Sequence, residues 1–508
     1  MTGKQLKNSI LQWAIQGKLV PQDPNDEPAS VLLEKIRAEK ARLVKEGKIK
    51  KDKKESIIYR GDDNSHYEKI LATGEVKCID EEIPFEIPDN WSFSRLGCVC
   101  DYLHRGKSPK YGLEQVLPII AQKCNQWDKI YTDRCQFSDI SFIGKYTEEQ
   151  YLQKGDIIIN STGGGTVGRT GIVEDYIFEK HQKFVADSHV TVVRGSILLN
   201  SYYLYYYLIS PYIQTGIEER CSGSTNQIEL GTSTIYNYLI PVPPYKEQIR
   251  IIELMGILLQ KVEKYGREQE KLENLRKILP LHLKKSILQE AIQGRLVAQD
   301  NSDEPASALL QRIKEEKQRL VKEGKLKKKD VVDSVIFKGD DNRYYEQIDG
   351  TTVQVESDYD FPSTWEVVRL AHICRLIDGE KREGQYVCLD AKYLRGKSTG
   401  DLLNNGKFVT KGDNIILVDG ENSGEVFTVP HDGYMGSTFK QLWVSETMHL
   451  PYVLYFIQFY KDLLRNSKKG AAIPHLNKEI FYSLLIGIPP YQEQIRIANQ
   501  IKELYAML

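Results

Sequence analysis

Apolar residues recur along this chain in two distinct rhythms. After Pro244, the residues Ile252, Met255, Leu259 and Val262, then Leu272, Leu275 and Leu279, fall three and four apart, as an apolar stripe on a helix requires. The polar stretch Glu263 to Lys271 interrupts that stripe, and Pro280 is expected to kink or end the helix. Tyr245 to Leu279 would reach about 52 Å at about 1.5 Å per residue. Glu27 to Gly47 predicts a second helix, with Pro28 near its start, Leu32, Leu33, Ile36 and Leu43 on one side and Gly47 at its end. The rest alternates short β-rich runs, such as Ile157-Ile158-Ile159 and Val190-Thr191-Val192-Val193, with glycine-rich loops, and reads as compact α/β domains.

Three phrases occur twice. LKNSILQWAIQGKLVPQD, ending at Asp23, returns as LKKSILQEAIQGRLVAQD, ending at Asp300, and the match continues to Gly47 and Gly324. It resumes at Gly61-Asp62-Asp63-Asn64 and Gly339-Asp340-Asp341-Asn342. IPDNWSFSRL carries Pro88, Trp91 and Arg95, and FPSTWEVVRL carries Pro362, Trp365 and Arg369. IPVPPYKEQIRI ends at Ile251 and IGIPPYQEQIRI at Ile497. Between the tryptophan phrase and the PPY phrase the two copies differ greatly. The chain therefore alternates shared frames with unlike blocks.

With 508 residues, the chain has room for about three domains. Lys plus Arg (69) balances Asp plus Glu (70), leaving a net charge of -1, so any polyanion must be met by local patches. None of the eight cysteines forms C-x-x-C and only Cys98 and Cys100 lie close together, which indicates neither a zinc site nor a disulfide framework. No signal peptide opens the chain and no apolar run approaches a membrane span, so a cytoplasmic protein is expected.

Two blocks, each entered through P-x-x-W-x-x-x-R-L and left through P-P-Y-x-E-Q-x-R-I, separated by a frame ending in S-I-L-Q-x-A-I-Q-G-[KR]-L-V, resemble the DNA specificity subunit of type I restriction-modification systems. The resemblance covers nearly the whole chain. It implies an α/β (α+β) fold with two compact target recognition domains, joined by long antiparallel coiled-coil helices in a pseudo-two-fold, cyclic arrangement. The boundaries that follow are an N-terminal helical frame 1–82, recognition domains 83–243 and 356–489, a central frame 244–355 and a distal helix 490–508. The resemblance further implies double-stranded DNA, two methyltransferase subunits and translocating restriction subunits as partners. No cofactor is expected on this chain, S-adenosylmethionine and ATP belonging to the partner subunits. A fused restriction-methylation enzyme and a coiled-coil adaptor without DNA contact are the competing classes.

Two motifs invite an enzymatic reading. The PPY phrases look like the core of DNA amino-methyltransferases, but Val242 and Ile488 stand where a hydrogen-bond acceptor for the target amine is needed. A proline stop between sheet and helix is the better reading. Gly163-x-x-x-x-Gly168-Arg169-Thr170 differs from a phosphate-binding loop at one residue, Arg169 replacing its lysine, and Gly171-Ile172-Val173 continues as a strand where a helix is required.

The same glycine-rich loop and its counterpart in the second block are better suited to close approach to a duplex. Asn160, Ser161, Thr162 and Arg169, and Asp419, Glu421 and Asn422, are the side chains offered to base edges. Arg105, Lys107 and Lys110, then Lys381, Arg382, Lys392, Arg395 and Lys397, form basic clusters suited to phosphates. A late loop before each PPY phrase adds Ser222, Ser224, Asn226 and Gln227, and Lys468, Lys469, His475 and Asn477. The lysine runs Lys48 to Lys54 and Lys325 to Lys329 lie in the frames and read equally well as charged linkers. No catalytic residue and no metal ligand is expected. Because the chain stops at Leu508 before a third opening phrase, residues 1 to about 22 are expected to pack against Tyr491 to Leu508, burying Ile10, Leu11, Ala14 and Ile15.

Overall fold

The computed structural model describes residues 1–223, 228–324, 334–467 and 475–508. The chain divides into two compact units, 1–273 and 274–508. Five long helices carry the frame: α1 (Gly3–Ile15), α2 (Ala29–Lys45), α3 (Tyr245–Ile292), α4 (Ala306–Lys322) and α5 (Tyr491–Ala506). Unit 1 contains α1, α2 and the first part of α3, and unit 2 the last part of α3 with α4 and α5. Among the described residues, no helix is long and apolar enough to cross a membrane.

In unit 1, Thr2 caps α1 in a capping box with Gln5, and Ile10, Leu11, Ala14 and Ile15 are buried as expected. They share one core with Ile251, Met255 and Val262 of α3 and with the helices Ser201–Leu208 and Pro211–Gln214. Helices α1 and α3 run antiparallel: Tyr265 donates to the carbonyl of Met1 at 3.0 Å, the Gly3 amide to Gln269 at 3.2 Å, and Gln22 to Glu247 at 2.6 Å. In unit 2, α5 lies along the second opening phrase. Ile497 and Ile501 share a core with Leu288, Ala291 and Ile292, Tyr505 donates to the carbonyl of Lys284 at 3.2 Å, and Arg496 binds Asp303 at 2.7 Å. The expected packing of residues 1 to 22 against Tyr491 to Leu508 is thus corrected. Each opening phrase pairs with the PPY helix of its own unit.

One junction joins all three repeated phrases in each unit. Trp91 donates its indole N–H to Glu247 of the first PPY phrase at 3.0 Å, and Trp365 donates to Glu493 of the second at 3.1 Å. Burial pushes both carboxyls above the usual glutamate range. Gln248 and Gln494 reach back to the carbonyls of Pro243 and Pro489, each at 3.0 Å, fixing the start of the helix. Gly17 and Gly294 close the junction at φ of 68° and 71°. A Cβ there would stand 2.4 Å from the Cγ of Pro88 or Pro362, so neither position accepts a side chain. Arg95 and Arg369, the other fixed residues of the tryptophan phrase, bind Glu68 and Glu346 on the β-hairpins that follow α2 and α4.

From this junction projects a sheet domain of the same strand order in each unit. In unit 1 the order is Thr170–Ile172, Ile157–Asn160, Val190–Gly195, Cys100–Arg105; in unit 2 it is Val426–Thr428, Asn414–Leu417, Phe439–Val444, Cys374–Ile377. The blocks that look unlike in sequence therefore share a topology. The β-strand Thr170–Ile172 follows the Gly163 loop, which removes the helix that phosphate binding needs. Pro280 neither ends nor interrupts α3, which runs through it for 48 residues. Arg276, whose carbonyl loses its usual donor at this proline, lies on an exposed turn open to solvent. The predicted stripe is buried at Met255 and Val262, whereas Leu275 and Leu279 are 61% and 54% exposed.

Deleting residues 2–22 removes the four buried side chains that cover α3 in unit 1. Unit 1 is expected to lose at least about 3 kcal/mol, at the scale of one large core truncation. Hydrogen exchange should quicken over 245–266 while protection of 491–506 is kept; faster exchange of 491–506 instead would restore the cyclic pairing.

Candidate functional site

At the end of each sheet three segments meet side by side. In unit 1, the Ser161 amide donates to the carbonyl of His189 at 2.8 Å and the Leu230 amide to the carbonyl of Ser161 at 2.7 Å, while Thr162 and Ser222 bridge to Glu229. In unit 2, the Val418 amide donates to the carbonyl of Thr438 at 2.9 Å and the Leu476 amide to the carbonyl of Val418 at 2.7 Å, with Asp419 bridged to His475. The glycine-rich loop and the late loop, far apart in sequence, thus form one ledge in each unit.

The unit 1 ledge is held by residues for which the sequence offered no signal. Gln122 donates to the carbonyl of Thr162 at 2.5 Å and to its hydroxyl at 2.7 Å, and that hydroxyl lies 2.9 Å from Nδ1 of the exposed His189. Arg169 donates to Gln126 at 2.6 Å and to the Gly165 carbonyl at 3.2 Å, which places its guanidinium across the loop. Arg105 is paired with Glu229 at 2.9 Å and donates to the carbonyl of Leu230 at 3.1 Å, so it braces the ledge. Lys107 donates to the carbonyl of Lys145 at 2.7 Å, and Lys110 binds Asp139 at 3.2 Å with its side chain 62% exposed.

Unit 2 gathers its basic residues on the hairpin formed by Glu380–Leu389 and Leu402–Val409. Lys381 pairs in register with Lys407, and the Arg382 guanidinium sits 3.9 Å over the Phe408 ring. Lys407 binds Asp378 at 2.6 Å, and Lys440 binds the same carboxylate. These two lysines hold the Asp378 carboxyl down to about 2. Lys392 and Lys397 are exposed beside this hairpin, whereas Arg395 is tied to Glu425. Glu421 is exposed and Asn422 half-buried at the tip of the glycine-rich loop.

Three of the residues offered to DNA are instead structural. Asn160 is fully buried, donating to the Gln122 carbonyl at 3.3 Å and accepting from Asn125 at 3.0 Å. Ser161 is equally buried, 2.5 Å from the Thr191 hydroxyl. Asn477, 8% exposed, caps the short helix Lys478–Ser483 by accepting from the Ile480 amide. Burial leaves none of these side chains a face for a base edge. Ser224, Asn226, Gln227, Lys468, Lys469 and the run Lys325 to Lys329 lie outside the described residues. Ser222 and His475 are exposed, and Lys48 and Lys54 are exposed in the frame, with Lys54 5.9 Å over the Tyr236 ring.

The family model described as the type I restriction modification DNA specificity domain matches residues 88–274 and 362–508. The chain is 27% identical to the type I restriction enzyme EcoAI specificity subunit of Escherichia coli, over 99% of this chain and 88% of that protein. It is 30% identical to the EcoEI specificity subunit of the same species, over 74% of this chain and 62% of the relative. A crystal structure of an HsdS subunit from Thermoanaerobacter tengcongensis aligns with 84% of this chain and 92% of its own, at 17% identity and a TM-score of 0.49.

Asp378 supplies a test of the hairpin's electrostatics. Its folded value lies below that of an unfolded aspartate, so its contribution is complete above about pH 4 and fades as pH falls towards 2. Asp378→Asn is expected to lower the urea midpoint slightly at pH 6. The difference should shrink at pH 3 and in high salt, since the carboxylate is 65% exposed. Equal midpoints at pH 6 would refute the two-lysine clasp.

Proposed function

Because the chain belongs to the family of type I restriction-modification DNA specificity domains, we propose that it is a non-catalytic specificity subunit whose two sheet domains each read one half of a bipartite DNA site. The single observation that supports this best is the duplicated ledge: two domains of one strand order, carried on identical junctions, offer different side chains at matching positions. A shared scaffold with divergent tips is what two readers of unlike half-sites require. Phosphate contacts would come from Lys381 and Arg382 on the hairpin, from Lys392 and Lys397 beside it, and from Lys107 and Lys110, with Arg105 and Arg395 bracing their loops.

The frame helices dock two methyltransferase subunits and set the non-specific spacer, and restriction subunits join that assembly. Leu275, Ile278 and Leu279, each about half exposed on the helix of unit 2, give the docking its apolar contact. S-adenosylmethionine and ATP bind to the partner subunits. The PPY phrases support a structural role, since their prolines join a strand to a helix and their glutamates meet tryptophan. Purified alone with DNA and labelled S-adenosylmethionine, the chain transfers no methyl group; transfer without partners would make it an enzyme.

Replacing residues 88–240 by the block of a related subunit, in cells that also express the methyltransferase, is expected to change one half of the methylated motif and leave the other intact. A change in both halves in the methylome would remove the two-reader model.

A second prediction concerns the spacer. Inserting about seven residues after Lys271, beyond the last contact of α1 at Gln269, keeps the helical phase within about 20°. The spacer between the half-sites should lengthen with both half-sites preserved; an unchanged spacer means that α3 does not set it.

A further inference from the structure

The two ledges place a histidine against the same central position from opposite sides. Thr162 and Asp419 are equivalent, each standing two residues past the end of its strand and bridged to the late loop. In unit 1 the histidine comes from the segment before strand Val190–Gly195, and His189 Nδ1 lies 2.9 Å from the Thr162 hydroxyl. In unit 2 it comes from the late loop, and His475 Nδ1 lies 2.6 Å from the Asp419 carboxylate. The positions across from them are occupied by Glu229 in unit 1 and Thr438 in unit 2.

The chemistry of the central residue decides which ring nitrogen carries the proton. Gln122 must direct its amide N–H at the Thr162 carbonyl, since a carbonyl only accepts, and the same nitrogen therefore donates to the Thr162 hydroxyl. The hydroxyl keeps one proton to give, and among the described residues His189 Nδ1 is the acceptor that stands within reach of it. The neutral His189 ring then holds its own proton on Nε2, the nitrogen turned away from the ledge residues. Asp419 only accepts, so a neutral His475 ring keeps its proton on Nδ1 and has its lone pair on Nε2. Both rings are exposed, the second 55% so. One ledge thus ends in a hydrogen-bond donor and the other in an acceptor.

Resting on the reading that the two domains contact DNA, we propose that His189 and His475 are specificity-determining residues of opposite polarity. His189 donates from Nε2 to the N7 of a purine in one half-site. His475 accepts at Nε2 from an exocyclic amine, adenine N6 or cytosine N4, in the other. Thr162 and Asp419 are positioning residues that act through the histidine tautomer.

The test uses the full chain assembled with its methyltransferase partner at pH 8, on duplexes of the motif found in the methylome. Single purines are replaced by their 7-deaza analogues, adenine by purine, and cytosine by an analogue without the 4-amino group. One 7-deaza substitution in the first half-site should weaken binding about tenfold, the scale of one base-edge contact. In His189→Ala that sensitivity should vanish. One missing amine in the second half-site should cost a similar factor, and His475→Ala should erase it. Thr162→Asp moves the His189 proton to Nδ1 and should abolish the 7-deaza penalty while the His475 response persists, which separates tautomer control from simple support of the fold. Specific binding with analogue sensitivities unchanged in the histidine variants would overturn the proposal and leave the proposed function standing. An assembly that binds DNA without sequence preference would overturn both.

Discussion

A buried glutamate at the first turn of each PPY helix organises the frame. Glu247 and Glu493 are almost wholly removed from water, and a carboxylate in that setting is costly unless donors meet it. Trp91 and Trp365 supply those donors, so the strand that brings each tryptophan must lie against the helix that carries the glutamate. The sheet domain begins just after the tryptophan and ends just before the glutamate. Its entry and exit are therefore clamped together, and whatever lies between can vary without moving the attachment. Trp91 and Trp365 also pack edge-on to Tyr203 and Tyr452, each 6.3 Å between ring centroids, and those tyrosines donate to the carbonyls of Pro241 and Gly487 on the exit strand. The clamp thus reaches from the frame into the core of each variable domain.

The clamp also explains which residues of the shared phrases must stay fixed. The glycine of the Q-G-[KR]-L-V phrase lets the chain turn against proline and tryptophan, the arginine of the tryptophan phrase ties in the hairpin, and the glutamine of PPY-x-E-Q closes the helix start. The aspartates Asp26 and Asp303, in the loop after the opening phrase, hold Arg250 and Arg496 one turn further along the same helices. Repetition in the sequence marks the contacts of one joint, made twice.

Periodicity and repetition made the architecture legible: the frame helices, the two α/β blocks and the burial of Ile10, Leu11, Ala14 and Ile15 all follow from local pattern. The partner of α1 was not legible, because α3 and α5 carry the same stripe and the sequence does not say which one a matching helix will choose. Pro280 does not end α3, so of the two outcomes expected of it the break does not occur. At the ledges, residue type picked out loops that the fold brings side by side, but not which of their side chains stay exposed. Asn160 and Ser161 carry the polar groups expected of a reader, yet the pleat turns them inward to satisfy Asn125 and Thr191. Gln122 and His189 were invisible for the converse reason, since their importance lies in meeting Thr162 from segments 40 and 27 residues away.

The division between frame and ledge follows from how each is stabilised. A junction of buried charge, indole and glycine has one workable arrangement, and a change at any member leaves an unpaired group or a clash. At the ledge the backbone contacts among the three segments are made by amides and carbonyls, which do not depend on side-chain identity. The side chains above them are free to differ, as Thr162 and Asp419 do, without loss of the strand arrangement beneath. The strand order is the same beneath threonine and aspartate, while the histidine that meets each comes from a different segment. A scaffold that is intolerant at its joint and permissive at its tip can therefore carry two chemically opposite surfaces on one repeated fold.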